Sequence, residues 1–224
     1  MALRHTVTYN QYRGNRRVSG PASEPVTKAE VKQQLRLDAD DTSEDTLLDL
    51  YITSARESAE ELFGFAFINQ VWKMTIDRWP GGREPWWDGV RQGAISELRR
   101  QGRNTEIIIP RYPLSSVDSI TADGQSVTIP DVFIVDTQQQ PGRLVLKFGA
   151  TLPTVSDEAA NGIEIEYTAG YGASAADVPA DMRLALLQMV ATMYTHRGDD
   201  CSADDAMKMS GAYAVFSKRK AAML

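Results

Sequence analysis

The stretch that decides the fold is residues 44–63, EDTLLDLYITSARESAEELF. Its apolar side chains recur at steps of three and four residues, which is the spacing of one face of an α-helix. They are Leu47, Leu48, Tyr51, Ile52, Ala55, Ala59, Leu62 and Phe63. The other face carries Asp45, Asp49, Arg56, Glu57, Glu60 and Glu61. The pattern predicts an amphipathic helix about 30 Å long that ends at Gly64, a residue suited to a helix C-terminus.

Two further helices are predicted, one on each side of the middle of the chain. Thr27 and Glu30 have the spacing of a capping box, so a helix should begin there and end near Leu37. An acidic linker, residues 38–45, separates it from the long helix. Pro179 is typical of a first helical position, and residues 179–196 place several large apolar side chains on one side. These are Met182, Leu186, Met189, Val190 and Met193.

Between these helices the apolar period changes to two, which is typical of half-buried strands. Trp72, Met74 and Ile76 alternate with polar residues, and similar signals recur at 106–109, 117–121, 127–129, 133–135, 144–147 and 163–167. Asp123 and Gly124 form a hairpin-turn signature. We therefore predict an α+β fold, in which a small bundle of N- and C-terminal helices carries a β-rich insertion and is flanked by extended terminal arms.

The predicted organisation is an N-terminal arm at 1–24, a helical body at 25–68 and 173–197, a β-rich insertion at 69–172 and a C-terminal docking tail at 198–224. The 224 residues carry a formal net charge of −6. Residues 25–205 hold 16 basic and 29 acidic residues, whereas both ends are basic. An acidic body argues against a protein that coats nucleic acid. The basic ends are expected either to meet a different partner or simply to be solvated.

The sequence also excludes several classes of protein and site. With one cysteine, Cys201, no internal disulfide can form, and neither a membrane span nor a signal peptide is predicted, so we expect a soluble protein of a reducing compartment. His5 and His196 are the two histidines, and neither is placed as a catalytic base. Cys201 with His196 matches no zinc signature, and the acidic linker lacks the glycine of a calcium loop. We expect no enzyme activity and no cofactor.

The segment from 81 to 104 has a different character, because it is rich in glycine, arginine and tryptophan. Aromatic residues and arginines are the side chains that anchor interfaces. Trp86, Trp87, Arg99, Arg100 and Arg103 are therefore candidate docking residues. The alternative is that this segment folds back over its own sheet.

An ordered set of segments resembles the head–tail connector (adaptor) proteins of long-tailed bacteriophages. The set begins with residues 25–80, PVTKAEVKQQLRLDADDTSEDTLLDLYITSARESAEELFGFAFINQVWKMTIDRWP. It continues with EPWWDGVRQGAISELRR at 84–100, IIIPRYPLSSVDSITADG at 107–124, PGRL at 141–144, IEIEYTAGYG at 163–172 and VPADMRLALLQMVATMYTHR at 178–197. The resemblance covers residues 25–197.

This resemblance implies a structural protein of the virion neck, made in the cytoplasm of the bacterial host. Twelve copies would form a ring beneath the portal protein, bind a stopper or tail-completion protein below, and let DNA pass through the lumen without sequence-specific binding. By the same resemblance, Tyr213, Phe216, Lys218, Arg219 and Lys220 would dock into the portal, and deletion of 211–224 would abolish docking without disturbing the fold. Two alternatives stay open: a neck or tail-completion protein that contacts the tail rather than the portal, and a DNA-packaging factor.

Overall fold

The computed structural model describes residues 14–77, 79, 106–156, 160–199 and 201–220. Helices and antiparallel sheets alternate along these residues, which confirms the α+β class. In chain order the elements are β1 Gly14–Ser19, α1 Lys28–Leu35, α2 Asp45–Phe63, β2 Gln70–Ile76, β3 Glu106–Ile108, β4 Leu114–Ala122, β5 Gln125–Ser126, α3 Ile129–Val132, β6 Phe133–Asp136, β7 Arg143–Leu146, β8 Ile163–Ala169, a 3₁₀ turn Ala175–Asp177, α4 Ala180–Thr195, α5 Ala203–Met209 and α6 Ala212–Ser217.

The helix ends follow the predicted signals closely. The Thr27 hydroxyl accepts from the Glu30 N–H at 3.2 Å, and the Glu30 carboxylate accepts from the Thr27 N–H at 2.7 Å, which completes the capping box. Helix α2 ends at Gly64, whose φ of 83° is the left-handed conformation that glycine adopts without strain. Pro179 lies at the N-cap of α4, one position before the predicted one.

Five strands form one antiparallel sheet in the order β1-β2-β8-β4-β5. Strands β2 and β8 alternate between buried and half-buried residues, as their sequence period predicts. Asp123 and Gly124 both have positive φ, at 47° and 75°, in the tight turn between β4 and β5. The strand predicted at 127–129 is wrong, because residues 129–132 form helix α3 with Pro130 in its first turn, where the missing N–H does no harm.

Strands β3, β7 and β6 form a second, three-stranded antiparallel sheet. Its inner face carries Ile107, Leu144 and Phe133, which are buried against the larger sheet's apolar residues. The buried side chains of the two sheets make up what we call the sheet core: Trp72, Met74, Ile76, Trp79, Ile107, Ile109, Leu114, Ile120, Ala122, Val127, Phe133, Leu144, Ile163, Ile165, Tyr167 and Ala169. Burial of these side chains supplies the main stabilisation of the β-rich region.

The helices enclose a separate cluster, the helical core. It draws on α1, α2, α4, α5 and α6 together with the segments around Phe67, Tyr112 and Val178. Large buried members are Leu48, Ile52, Phe63, Phe65, Leu186, Met189 and Phe216. Helices from both ends of the described chain therefore share one apolar interior.

Residues 14–19 depart from the expectation of an unpaired N-terminal arm. They form β1, which pairs with β2 from Gly14 opposite Thr75 to Ser19 opposite Val71, with a bulge between Arg17 and Ser19. Side-chain contacts hold the strand: Tyr167 Oη donates to Asn15 Oδ1 at 2.8 Å, and Arg17 pairs with Glu57 at 2.7 Å. The alternating apolar signal of a core strand is missing because most of β1 is exposed at the sheet edge.

Residues 201–220 also depart from the expected docking tail, because α5 and α6 pack on α2 and α4. Phe216 is fully buried, and its ring lies 5.9, 5.6 and 5.8 Å from those of Phe63, Phe65 and Phe67. The prediction that 211–224 could be deleted without disturbing the fold conflicts with this packing. The free-tail interpretation failed because residues 212–217 are too few for the apolar side chains Tyr213, Val215 and Phe216 to show a helical period.

Removal of the Phe216 ring should destabilise the whole helical core. Phe216→Ala is expected to lower the free energy of unfolding by about 3–5 kcal/mol, since the cavity forms in a packed aromatic cluster. Thermal or urea unfolding followed by circular dichroism measures the change. Lys220→Ala, at an exposed position of the same segment, is the control and should unfold like the wild type. Equal stability of the two variants would contradict the packing of α6.

The end of α6 should loosen when its ion pair is removed. Arg219 Nη2 donates to both carboxylate oxygens of Asp181, at 3.1 and 3.0 Å, and this hydrogen-bonded guanidinium holds the pKa of Asp181 below its ordinary value. Because the folded pKa is lowered, the contribution is present at neutral pH and disappears as the pH falls through that pKa, below about 4.

Asp181→Asn should accordingly speed amide hydrogen exchange in residues 212–217 at pH 7. The wild type should approach the variant's exchange rate only at acidic pH. Asp204→Asn, an exposed aspartate of α5, serves as the matched control. Unchanged exchange in Asp181→Asn would show that the pair does not hold the helix.

Candidate interaction surfaces

The C-terminal candidates divide into surface and interior residues. Lys218 and Lys220 are exposed, and Tyr213 is 44% exposed while its ring lies 5.4 Å from that of Phe63. Arg219 is already paired with Asp181. Phe216 is interior, so it is not available to a partner on the folded chain. The surface formed by Tyr213, Lys218 and Lys220 is hereafter the basic terminal surface.

The second set of candidates is Trp86, Trp87, Arg99, Arg100 and Arg103. All five lie outside the described residues. Their role in docking therefore stays a prediction.

A buried polar cluster, which the sequence pattern does not indicate, joins helix α2 to the start of the larger sheet. Arg56 and Glu60 fall on the face of α2 that the pattern assigned to solvent, yet both are buried. Glu60 Oε1 accepts from the backbone N–H of Phe67 at 3.0 Å and from the Gln70 amide at 2.8 Å. Glu60 Oε2 accepts from Arg56 Nη1 at 2.9 Å. Because each charge has partners, the cluster can be buried at tolerable cost.

Arg56 extends this cluster to the N-terminal segment. Its Nε donates to Glu24 at 2.8 Å. Burial acts to lower the pKa of Arg56, but the hydrogen bond to Glu24 and the charge of Glu60 raise it above its ordinary value. The guanidinium therefore stays charged and ties the segment before α1 to the side of α2.

Arg111 approaches the same junction from the strand side. Its guanidinium carbon lies 4.3 Å from the centroid of the Trp72 ring, and Nη1 donates to the backbone oxygen of Glu60. Arg111 and Trp72 line an open cleft of about 280 Å³. The other residues that line it are Asn15, Arg17, Glu57, Glu60 and Glu61. Charges of both signs lie in this cleft, and Arg17 pairs with Glu57 there. The geometry therefore fits a contact that holds α2 against the larger sheet.

The acidic linker is organised by an internal cation. Lys32 Nζ donates to the backbone oxygens of Ala39 at 3.3 Å and Asp41 at 2.8 Å, and it lies 2.6 Å from Asp45 Oδ1. The ammonium hydrogen bond lowers the pKa of Asp45. Over the described residues, no group of three or more His, Cys, Asp or Glu side chains is placed to hold a metal ion.

His196 caps α4, as its position at the helix end predicts. Its Nδ1 lies 3.0 Å from the backbone oxygen of Thr192. The same carbonyl also accepts from the His196 backbone N–H at 3.1 Å, so the ring adds a second contact to the last turn of the helix. None of the helices in the described part of the chain has both the length and the apolar character that a membrane crossing requires.

Comparison with solved structures finds the same fold in gene transfer agent particles. One chain, from the neck of an empty particle computed with C6 symmetry, superposes with a TM-score of 0.64 at 20% identity, covering 88% of this chain and 94% of that chain. A chain from the native particle's virion gives 0.61 at 20%, covering 87% and 93%. A chain from the native neck computed with C12 symmetry gives 0.60 at 19%, covering 88% and 94%.

Sequence comparisons complete the assignment. A comparison with curated proteins gives no match. The family model described as "Head completion protein" matches residues 24–221, nearly the whole length of the chain. This match confirms the resemblance that the ordered segments indicated. The chain belongs to the head completion protein family.

Proposed function

We propose that this chain is a structural protein of the virion neck, in the region where head and tail join. The observation that carries the proposal is the family match over residues 24–221. The fold shared with neck chains of gene transfer agent particles supports it. Outside the two cores, the exposed aromatic and basic residues suit contacts with partners rather than catalysis.

We further propose that the chain forms a ring, with twelve copies as the expected number. A fold neighbour lies in a neck computed with C12 symmetry. Ring closure requires two unlike lateral faces on each copy, because neighbours are related by a rotation that is not a twofold. Each copy carries a formal charge of −6. A lumen lined with negative charge would let DNA slide past instead of adhering.

The arrangement proposed for the subunit is a helical body with a projecting β-rich insertion. The separation of the helical core from the sheet core supports it. In the ring, the body would pack near the portal protein and the other side would meet a stopper or tail-completion protein. A neck protein that contacts the tail alone is the alternative, and the family's description, which names the head, does not favour it.

Ring formation tests the proposed function directly. The purified chain, alone and added to DNA-filled heads that lack their neck, should appear as closed rings by electron microscopy, and the heads should retain their DNA. We expect rings because a neck protein works by assembly. A chain that stays monomeric in both preparations and shows metal-dependent nuclease activity would contradict a structural role and favour DNA packaging.

Charge reversal on the basic terminal surface tests docking on the portal protein. Lys220→Glu should raise the dissociation constant for portal binding about fivefold at low salt, since an exposed ion pair contributes up to about 1 kcal/mol. Lys208→Glu makes the same charge change at an exposed position of α5 and should leave the constant unchanged. Surface plasmon resonance at two salt concentrations measures both.

If Lys220→Glu binds the portal protein as tightly as the wild type, the basic terminal surface is not part of the portal contact. Binding to the tail component, measured in parallel, then distinguishes the two neck positions. Weaker tail binding by Lys220→Glu would place this surface on the tail side.

A further inference from the structure

Strand β1 is attached to the protein without contributing to either core. No residue from 14 to 19 belongs to the helical core or to the sheet core, and the one aliphatic side chain of the strand, Val18, is 52% exposed. The family match begins at residue 24, so the matched part of the chain does not include β1. Because burial of apolar side chains supplies most of the stabilisation of a fold, β1 can detach at little cost to the two cores.

The contacts that hold β1 are those of a polar interface. Its backbone pairs with residues 71–75 of β2. Asn15 accepts from the Tyr167 hydroxyl at 2.8 Å, and Arg17 pairs with Glu57 at 2.7 Å on the exposed surface. Asn15 and Arg17 also form one wall of the open cleft beside Trp72. When an extended segment adds to the edge of a sheet, main-chain pairing of this kind gives affinity and the side-chain contacts give specificity.

The segment after β1 has the properties of a hinge. In the part of the chain that the structure describes, residues 20–23 make no hydrogen bond beyond the one from the Ser19 hydroxyl to the Gly20 oxygen. Gly20 is exposed, with no heavy atom within 4 Å of its Cβ position. The chain is fixed again at Glu24, which accepts from Arg56 at 2.8 Å. Fully extended, the stretch from Ser19 to Glu24 spans about 17 Å. Strand β1 can therefore leave its own sheet while the chain after Glu24 stays in place.

The edge of β2 that β1 covers, residues 71–75, is called the acceptor edge. A segment that binds there must repeat the bulged register, place an arginine at Glu57 and place an asparagine at Tyr167. Residues 14–19 of a second copy meet all three requirements, because they are the same segment. An exchanged strand keeps the contacts that it makes in the single chain, so exchange between identical copies costs little.

We propose that β1 is exchanged between copies in the assembled ring, so that residues 14–19 of each copy pair with the acceptor edge of the next. The proposal rests on the ring proposed above. A donor strand and an acceptor edge are two unlike surfaces of one chain, and exchange in a single direction therefore closes a ring without a twofold contact. Each copy is then joined to its neighbour by main-chain hydrogen bonds, and the neighbour supplies Asn15 and Arg17 to the cleft.

A disulfide between β1 and β2 distinguishes exchange from pairing within one chain. A Cβ atom at position 14 would lie 3.1 Å from the Thr75 hydroxyl oxygen, so cysteines at positions 14 and 75 are close enough to join. Gly14→Cys with Thr75→Cys is made together with Cys201→Ser, which removes the one native cysteine. Oxidised rings should give covalent multimers on a denaturing, non-reducing gel, whereas dilute monomers should give an internal disulfide.

The control for this experiment is Gly14→Cys with Lys147→Cys, which moves the second cysteine to an exposed position outside the larger sheet. It should give no multimers, and multimers equal to those of the first pair would overturn the proposal. Rings whose oxidised chains run singly, with an internal disulfide, would overturn the exchange and leave the neck function standing. A pair that forms no disulfide in either state would also overturn it, because β1 would not pair in this register. Failure of the wild type to form rings, alone or on heads, would overturn both proposals.

A charge reversal in the donor strand gives a second readout. Arg17→Glu replaces an exposed ion pair with a like-charge contact at Glu57, so it should raise the concentration at which rings form about fivefold at low salt. The melting temperature should change little, because β1 lies outside both cores. Lys208→Glu makes the same charge change on α5 and should assemble like the wild type. Analytical ultracentrifugation measures both, and normal assembly of Arg17→Glu would overturn the exchange.

Discussion

The carboxylate of Glu60 is the constraint around which the two halves of the molecule are arranged. It is buried, and its oxygens accept from the Phe67 N–H, the Gln70 amide and the Arg56 guanidinium. Loss of Arg56 would leave this carboxylate buried without an opposite charge, which costs far more than the net gain of the pair. The turn from α2 into β2 is therefore held in one conformation, and with it the direction in which the larger sheet leaves the helices.

A second group of contacts fixes the same junction from the far side of the sequence. Tyr112 Oη donates to the Phe63 oxygen at 2.7 Å, the Ala66 N–H donates to the Tyr112 oxygen at 2.8 Å, and Arg111 reaches the end of α2. Together with Glu60 these contacts span the boundary between the helical core and the sheet core. In the ring proposed above, a subunit that presents surfaces on both regions would need this boundary to be rigid, because angular errors would accumulate from copy to copy.

The sequence predicts those elements whose signal is local. Helix α2, the Thr27–Glu30 capping box, strands β2 and β8 and the Asp123-Gly124 turn follow from periodicity and capping chemistry within a few residues. Strand β1 and helices α5 and α6 were missed because their order depends on distant partners, such as Tyr167 for Asn15 and Phe63 for Phe216. Arg56 and Glu60 have the spacing of a solvated face, and only tertiary packing buries them. The family was recognisable from the order of the sequence segments. The surfaces that meet partners could not be predicted in this way, because they depend on which side chains are exposed and on how the strands pair.

The bulge in β1 has a consequence for how copies of the chain can join. Strand β1 forms one edge of the larger sheet, and it carries the exposed Arg16 and Arg17 next to the irregular step between Arg17 and Ser19. Charged side chains and a bulge at an edge both obstruct the backbone pairing by which exposed strands of separate molecules zip together. In the proposed ring assembly, free subunits would thus reach high local concentration without polymerising into open-ended fibres through the outer edge of β1, and growth would stop where the side-chain surfaces close the ring.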